Sequence, residues 1–322
     1  MKIFLPNSAH LQNIEGFVRK YDPQPTSKIL RVSGHDRYIH LHPFALAMAA
    51  SAGANATHSG WRTIGSIKPV SSAPYMVRMK LFAHLKVAAP TTIEEHEESG
   101  RFVPLTQICT SEGLSQSISN LIPLLHSNSN VADPIRYVMS ELGRNVLEHS
   151  YSKTGGFLCA QYFKDKKRIA IGIADSGVGI YEAIRHSHAA RSEEEAFQLA
   201  MTPGISGATP RIGGNETNAG AGLFFIRSIA KTSGNFLVMY SGNTLYKIMR
   251  KQEEPGLLFV DPFNETHSLV SGLPYWQGTV VGIDINVDET VKFSALLDLV
   301  RKSYNVGVKA KKKEYFKKVI FT

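Results

Sequence analysis

The chain has 322 residues, 43% hydrophobic and 20% charged, with 36 Lys plus Arg against 27 Asp plus Glu for a net charge of +9. That apolar fraction excludes a mostly disordered chain and supplies one large or two smaller buried cores. Residues 301–322 hold eight basic groups and one acid, a local +7, which leaves residues 1–300 at +2. Two cysteines, Cys109 and Cys159, stand far apart without CxxC spacing, which argues against a disulfide framework or a cysteine zinc site and points to the reducing cytoplasm. The opening MKIFLPNSAHLQN has no basic leader feeding an apolar stretch, and no run approaches the ~20 apolar residues that span a bilayer. A soluble, cytoplasmic protein without a transmembrane segment is expected.

In chain order, residues 1–5 read as a short strand, and HLQNIEGFVRKY at 10–21 places Leu11, Ile14, Phe17 and Val18 on one face of a helix. KILRV at 28–32 and YIHLH at 38–42 predict two strands around the turn-like SGHDR. Pro43 then begins an apolar helical run, FALAMAASAG, whose small residues suit close packing under a sheet. SSAPYMVRMKLFAHL, the acidic EEHEE at 94–98 and a helical pattern at 114–126 complete a first α/β domain, assigned to 1–128. The segment HPFALAMAASAG after a strand resembles the sulfate-transporter and anti-sigma-antagonist (STAS) domain, which implies a non-catalytic, partner-binding role. Where phosphorylated members of that family start this helix with a serine, this chain has His42-Pro43-Phe44-Ala45. A packed α/β module of another kind is the alternative.

From 133 to 149, DPIRYVMSELGRNVLEH predicts a helix capped by Asp133, with Pro134 at its first position and Ile135, Val138, Met139, Leu142 and Val146 as its apolar stripe. Glu141, Asn145 and His149 recur every four residues and share a line on that helix, where an acid and an amide one turn apart can meet a metal-bound triphosphate. RIAIGIADSGVGI at 168–180 is an apolar strand ending in Asp175, then turning through Gly177 and Gly179; a carboxylate fixed there can accept a hydrogen bond from an exocyclic amine. NETNAGAGLFFIRSIAKTSG at 215–234 puts Gly220 and Gly222 immediately before a helix whose first amides can receive phosphate oxygens. Neither a GxxxxGK[ST] loop nor a GxGxxG dinucleotide fingerprint is present.

Taken in order, ELGRNVLEH, DSGVG and GAGL resemble the three sequence boxes of the gyrase and histidine-kinase superfamily of ATPases, the Bergerat fold, over about residues 130–288. The resemblance implies a Bergerat-type α/β sandwich at 129–304 beside the smaller N-terminal α/β domain, with ATP and Mg²⁺ as cofactors. It implies that Glu141 positions or deprotonates water, Asn145 ligates Mg²⁺, Asp175 recognises the adenine amine and Thr279, in GTVVGIDI, supports that contact. Gly177, Gly179, Gly220, Gly222 and Leu223 would shape the nucleotide loops. TPGISG at 202–207 resembles the segment before the nucleotide lid of anti-sigma and histidine kinases, and Arg211, the one basic residue between Ser192 and Gly222, is the candidate phosphate contact. No HExxxP-like phosphoacceptor helix precedes the domain, which argues against an autophosphorylating sensor kinase.

Residues 250–275 read as an insertion forming a surface hairpin or loop, 288–304 as a terminal amphipathic helix, and 305–322 as a basic tail carrying KAKKKEYFKK. The core at 131–300 has 16 basic and 18 acidic residues, so it offers no broad phosphate-backbone-binding face; an acidic protein or a nucleic acid is a partner for the tail alone. The functional expectation is an Mg²⁺-dependent regulatory ATPase or protein serine kinase of partner-switching type. The alternatives are a nucleotide-gated interaction module and a nucleic-acid-associated ATPase. A protein partner is expected, and family resemblance adds a homodimer.

Overall fold

The computed structural model describes residues 1–24, 27–93, 102–124, 129–212, 222–232, 234–249, 259–286 and 293–320. The chain begins with β1 (Lys2–Leu5), α1 (Glu15–Val18), β2 (Ile29–Gly34), α2 (Pro43–His58) and β3 (Arg62–Ser66), then two short helices, α3 (Ala73–Arg78) and α4 (Leu81–Leu85). β1, β2 and β3 pair in that order as a parallel sheet. There follow β4 (Phe102–Ile108), α5 (Ser111–Leu124), α6 (Ser129–His149), β5 (Gly156–Phe163), β6 (Arg168–Asp175), α7 (Gly179–Arg185), α8 (Glu193–Ala200) and α9 (Gly222–Thr232). β7 (Leu237–Gly242), β8 (Thr244–Ile248), β9 (His267–Val270), β10 (Trp276–Asn286) and α10 (Phe293–Ile320) complete the order. The second sheet has seven strands, β4-β5-β6-β10-β7-β8-β9, antiparallel throughout. The architecture is an α/β sandwich with a smaller α/β unit at the N-terminus.

The alternation of side chains along β6 and β10 explains why the large sheet is covered on both faces. Ile169, Ile171 and Ile173 of β6 and Val281, Ile283 and Ile285 of β10 point to one side, into a core shared with α6, α7, α8 and α9. On the other side the same strands present Gly172, Ala174 and Gly282, a nearly smooth surface. α2 lies on that surface, and a Cβ at Gly172 would stand 2.1 Å from the Pro43 carbonyl carbon. α2 also packs against β2 and β3, so it has a sheet on either side. That position accounts for a helix buried without a break from Pro43 to Gly53 and built mainly from alanine.

His42 caps α2. Its Nδ1 accepts the Phe44 N–H at 3.0 Å, so Nε2 carries the hydrogen and donates to Asp284 Oδ1 at 3.3 Å. Asp284, on β10, also accepts from Arg168 of β6 at 3.1 Å. The His42 ring is therefore a buried structural cap that ties α2 to the large sheet.

Several boundaries differ from the sequence reading. β4 is the edge strand of the large sheet and α5 packs on α6, so by sheet membership the second unit begins by Phe102 rather than at 129. Strand partners are set by nonlocal pairing, which periodicity within a segment does not carry. Residues 38–42 form no strand beyond one isolated bridge of Leu41 with Ala9, made by the His42 N–H and the His40 carbonyl. The helix expected over 10–21 is reduced to Glu15–Val18, and the residues before it close i to i+3 turns, with the Asn13 N–H on the His10 carbonyl and the Gly16 N–H on the Asn13 carbonyl. α6 begins at Ser129 instead of at Pro134. Within 250–275, residues 250–258 lie outside the described part, but β9 is a strand of the large sheet, so this stretch is not wholly a surface loop. Arg227 of α9 is completely buried, donates to the Phe259 carbonyl at 2.6 Å and pairs with Glu265 at 3.6 Å, which fixes the approach to β9 under α9. The supposed tail is helical: α10 continues to Ile320, packing Val300 against Phe224 and Phe225 and crossing Pro203 and Val260 at Gly307. No helix among the described residues is long and apolar enough to cross a membrane.

If α2 depends on the smooth face of β6, Gly172→Ala should destabilise the protein by about 1–3 kcal/mol, because the added methyl meets backbone that cannot swing aside. Urea denaturation checks it, with Gly16→Ala, where the new methyl has no neighbour within 4 Å, as a control expected to be neutral or slightly stabilising. Equal midpoints for the two variants would contradict the packing argument.

Candidate functional site

A cleft of about 1010 Å³ of atom-free space, its open mouth included, lies on the helical side of the large sheet. Its floor is apolar: Ile173 of β6, Met239 of β7 and Val281 of β10 face Leu142, Val146, Ile180 and Ile184. Its polar side chains come from α6 and Ser150 just after it, the end of β6, Thr279 of β10 and Ser206. An apolar slot with a few convergent polar groups is the usual form of a small-molecule site.

Asp175 ends β6 and is 4% exposed. One carboxylate oxygen accepts the Gly177 N–H at 2.8 Å, and the Thr279 N–H also donates to the carboxylate. Burial pushes this carboxyl up to about 7, against the opposing pull of the two N–H groups. The backbone behind it is packed too tightly for side chains. A Cβ at Gly177 would lie 1.9 Å from the Ser150 carbonyl oxygen, and one at Gly278, with φ of 106°, would lie 2.2 Å from the Asp175 carbonyl oxygen. The Trp276 indole N–H donates to that same Asp175 carbonyl at 3.1 Å.

Glu141 and Asn145 stand one turn apart on α6, and both line the cleft. The first residue of α9 meets them there: a Cβ on Gly222 would be 2.7 Å from Glu141 Oε2 and 3.9 Å from Asn145 Oδ1. The described start of α9, an 11-residue helix, is thus brought against an acid and an amide, and a side chain at Gly222 would displace the Glu141 carboxylate. Burial raises the Glu141 carboxyl above its usual range and Glu148 adds to this, while Arg144 at 3.6 Å draws it back. Asn145 Nδ2 is buried without a hydrogen-bond partner among the described residues. An unpaired buried amide is costly in a closed core and suits a polar occupant of the cleft.

Of the residues singled out in the sequence, Glu141, Asn145, Asp175, Gly179, Gly222, Leu223 and Thr279 line one cleft. Gly177 lies directly beneath it, holding Asp175. Gly220 falls outside the described residues. Arg211 does not line the cleft: it is exposed, in the loop that follows the short 206–209 turn. Arg144 is the Arg or Lys that lines the cleft among the described residues, and it pairs with Glu148 at 2.9 Å as well as with Glu141. Its spacing of three from Glu141 is visible in ELGRN. His149 lines the cleft too, and burial holds its imidazole below the usual histidine range. Ser206 and Gly207, from TPGISG, form another wall and are pinned to the end of α7, where Ser187 Oγ donates to the Gly207 carbonyl at 2.8 Å. Among known proteins, no family model matches this chain, and no curated protein matches it.

Because the folded-state value of Asp175 is raised above that of an unfolded aspartate, the folded protein holds the proton more tightly, and stability falls as pH rises from the ordinary aspartate range towards about 7. Asp175→Asn keeps an acceptor for the Gly177 N–H without the buried charge. The ligand-free variant should therefore melt a few degrees above wild type at pH 8, with the gap closing at pH 5. Thermal melts at the two pH values check this, and a variant less stable than wild type at pH 8 would contradict the assigned burial cost.

Proposed function

We propose that the cleft binds ATP with Mg²⁺ and that the protein is a regulatory ATPase or protein serine kinase acting through a protein partner. The observation that carries this reading is the meeting of Glu141, Asn145 and Gly222 in the same apolar-floored cleft that the buried Asp175 lines. An amine-accepting carboxylate together with an acid, an amide and a helix start suits a flat base with a phosphate chain. The order of the three sequence boxes, which resembles the Bergerat ATPases, supports the same assignment.

The donor chemistry fits the metal. Mg²⁺ prefers oxygen ligands, keeps several waters and is commonly held by one or two protein groups plus substrate phosphates. Asn145 offers an amide oxygen at the phosphate end, and no cluster of three or more His, Cys, Asp or Glu side chains among the described residues forms a metal cage of its own. Bound there, Mg²⁺ would offset the negative charge that develops on the phosphates.

The chain's own residues do the rest. Ionised Asp175 accepts a hydrogen bond from the adenine amine, with the Gly177 and Thr279 N–H groups keeping its orientation. The ring lies against Ile173, Met239 and Val281, where water is excluded. The first amides of α9 face phosphate oxygens. Glu141, its carboxyl raised above the usual range by burial, orients the attacking water or acceptor hydroxyl and takes its proton. Arg144 is placed to exchange its carboxylate partners for phosphate. Such chemistry belongs in the ATP- and Mg²⁺-rich cytoplasm.

A nucleotide-gated interaction module is favoured by one specific contact. Ser51, fully buried in α2, shares a hydrogen bond of 2.8 Å with Ser176 in the turn after Asp175, so the STAS-like front touches the nucleotide loop directly. Turnover separates the readings. Mg²⁺-dependent ADP release is expected from wild type, and Glu141→Ala should reduce it by about 100-fold or more while ATP still binds. Wild type that binds ATP without releasing ADP, with or without a candidate acceptor protein, would sink the enzymatic reading and leave the gating one.

A further inference from the structure

A second cavity, with about 1210 Å³ of atom-free space including its mouth, opens on the far side of the turn that follows β6. It lies where the end of α2, the residues after α6 and the start of β10 meet. Both tryptophans of the chain, Trp61 and Trp276, line it, and so do Tyr21, Tyr151 and Tyr275. Tyr151 is 71% exposed and Tyr275 48%, an aromatic surface left in water beside a concave wall. Tyr151 also adopts left-handed backbone, with φ of 52°. For a bulky residue that conformation carries a local penalty, and such positions cluster at ligand sites.

The polar lining is one-sided. Lys153 and His58 are exposed along the cavity, Asn55 and Gln277 add amides, and no described lining residue is a carboxylate. Aromatic faces stack on a planar ring, amides read the edge of a base, and a lysine without an opposing acid attracts an anion. We propose that this cavity is a second ligand site that takes a small molecule of the nucleoside-monophosphate class, a planar base carrying a phosphate.

The inner wall of the cavity is the back of the turn that holds Asp175. Ser176, Gly177 and Val178 line it, Trp276 donates to the Asp175 carbonyl, and Val178 N–H donates to the Ser150 carbonyl at 2.8 Å. An occupant that shifts Trp276 or this turn changes the support of Asp175, so each ligand alters the affinity of the other by the same factor. The coupling rests on the ATP reading of the cleft; binding in the second cavity does not.

The test uses guanosine monophosphate, whose base has a carbonyl where adenine carries the amine that Asp175 would accept. Since both tryptophans line the cavity, intrinsic tryptophan fluorescence reports its occupancy. A saturable change is expected with wild type, weakened about tenfold or more by Lys153→Glu and retained by Asp175→Asn. The absence of a saturable change up to about 5 mM would overturn the proposal. So would a change abolished by Asp175→Asn but untouched by Lys153→Glu, which would place the ligand in the first cleft. ATP binding is followed separately by calorimetry. Loss of ATP binding with the guanosine signal intact would sink the cleft reading and sustain the second site, and the reverse would remove the second site alone.

Discussion

The structure depends on one asymmetry in two neighbouring strands. β6 and β10 send isoleucines and Val281 to one side of the large sheet, and mainly small residues, Gly172, Ala174 and Gly282 with Val280 and Asp284, to the other. The bulky side builds the core on which α6, α7, α8 and α9 rest, and the cleft opens between those helices and the strand ends. The smooth side admits α2 at backbone distance, where side chains of ordinary size would hold it away. Hydrophobic burial on both faces then makes the sheet a rigid middle layer, and Asp175 and Thr279 extend from the ends of its central strands into the site.

That arrangement explains how a carboxyl group can be kept buried. Asp175 gains two N–H donors from backbone that comes within contact distance only because Gly177 and Gly278 lack side chains. Two hydrogen bonds lower the cost of the charge, but burial still dominates. A buried acid held partly out of its preferred protonation state is poorly explained by stability and well explained by a ligand that brings a hydrogen-bond donor. The same logic applies to Asn145 in the same cleft, where an amide nitrogen is buried without a partner among the described residues.

Much of this was legible in the sequence where chemistry and periodicity coincided. ELGRNVLEH fixes Glu141 and Asn145 to one helix face by spacing alone, and RIAIGIAD shows both the strand and, through its alternation of isoleucine with alanine and glycine, a flat side. Contacts between distant segments were not legible. Nothing within 102–108 announces that its partner is β5, and nothing in HPF announces that the histidine will reach Asp284, 242 residues later. The lysine-rich end was read by charge as a tail, although its Lys, Ala and Glu content is also favourable to helix, and packing of Val300 and Gly307 anchors the helix that runs through it. That Arg144 lines the cleft and Arg211 does not was likewise not legible, since a sequence displays loop charge plainly and the wall of a cleft not at all.

The front unit is not an appendage on this architecture. Its central helix is capped through Asp284 of β10, packed on Gly172 of β6 and hydrogen-bonded to Ser176 beside Asp175. On the proposed ATP reading, movement of the turn after Asp175 has a direct mechanical path into the front unit. The central claim, that the cleft is an ATP site, is tested most directly by a crystal structure with Mg²⁺ and a non-hydrolysable ATP analogue. The account predicts the adenine amine on Asp175, the metal on Asn145 and the phosphates at the start of α9. A nucleotide bound elsewhere, or a base turned away from Asp175, would contradict it.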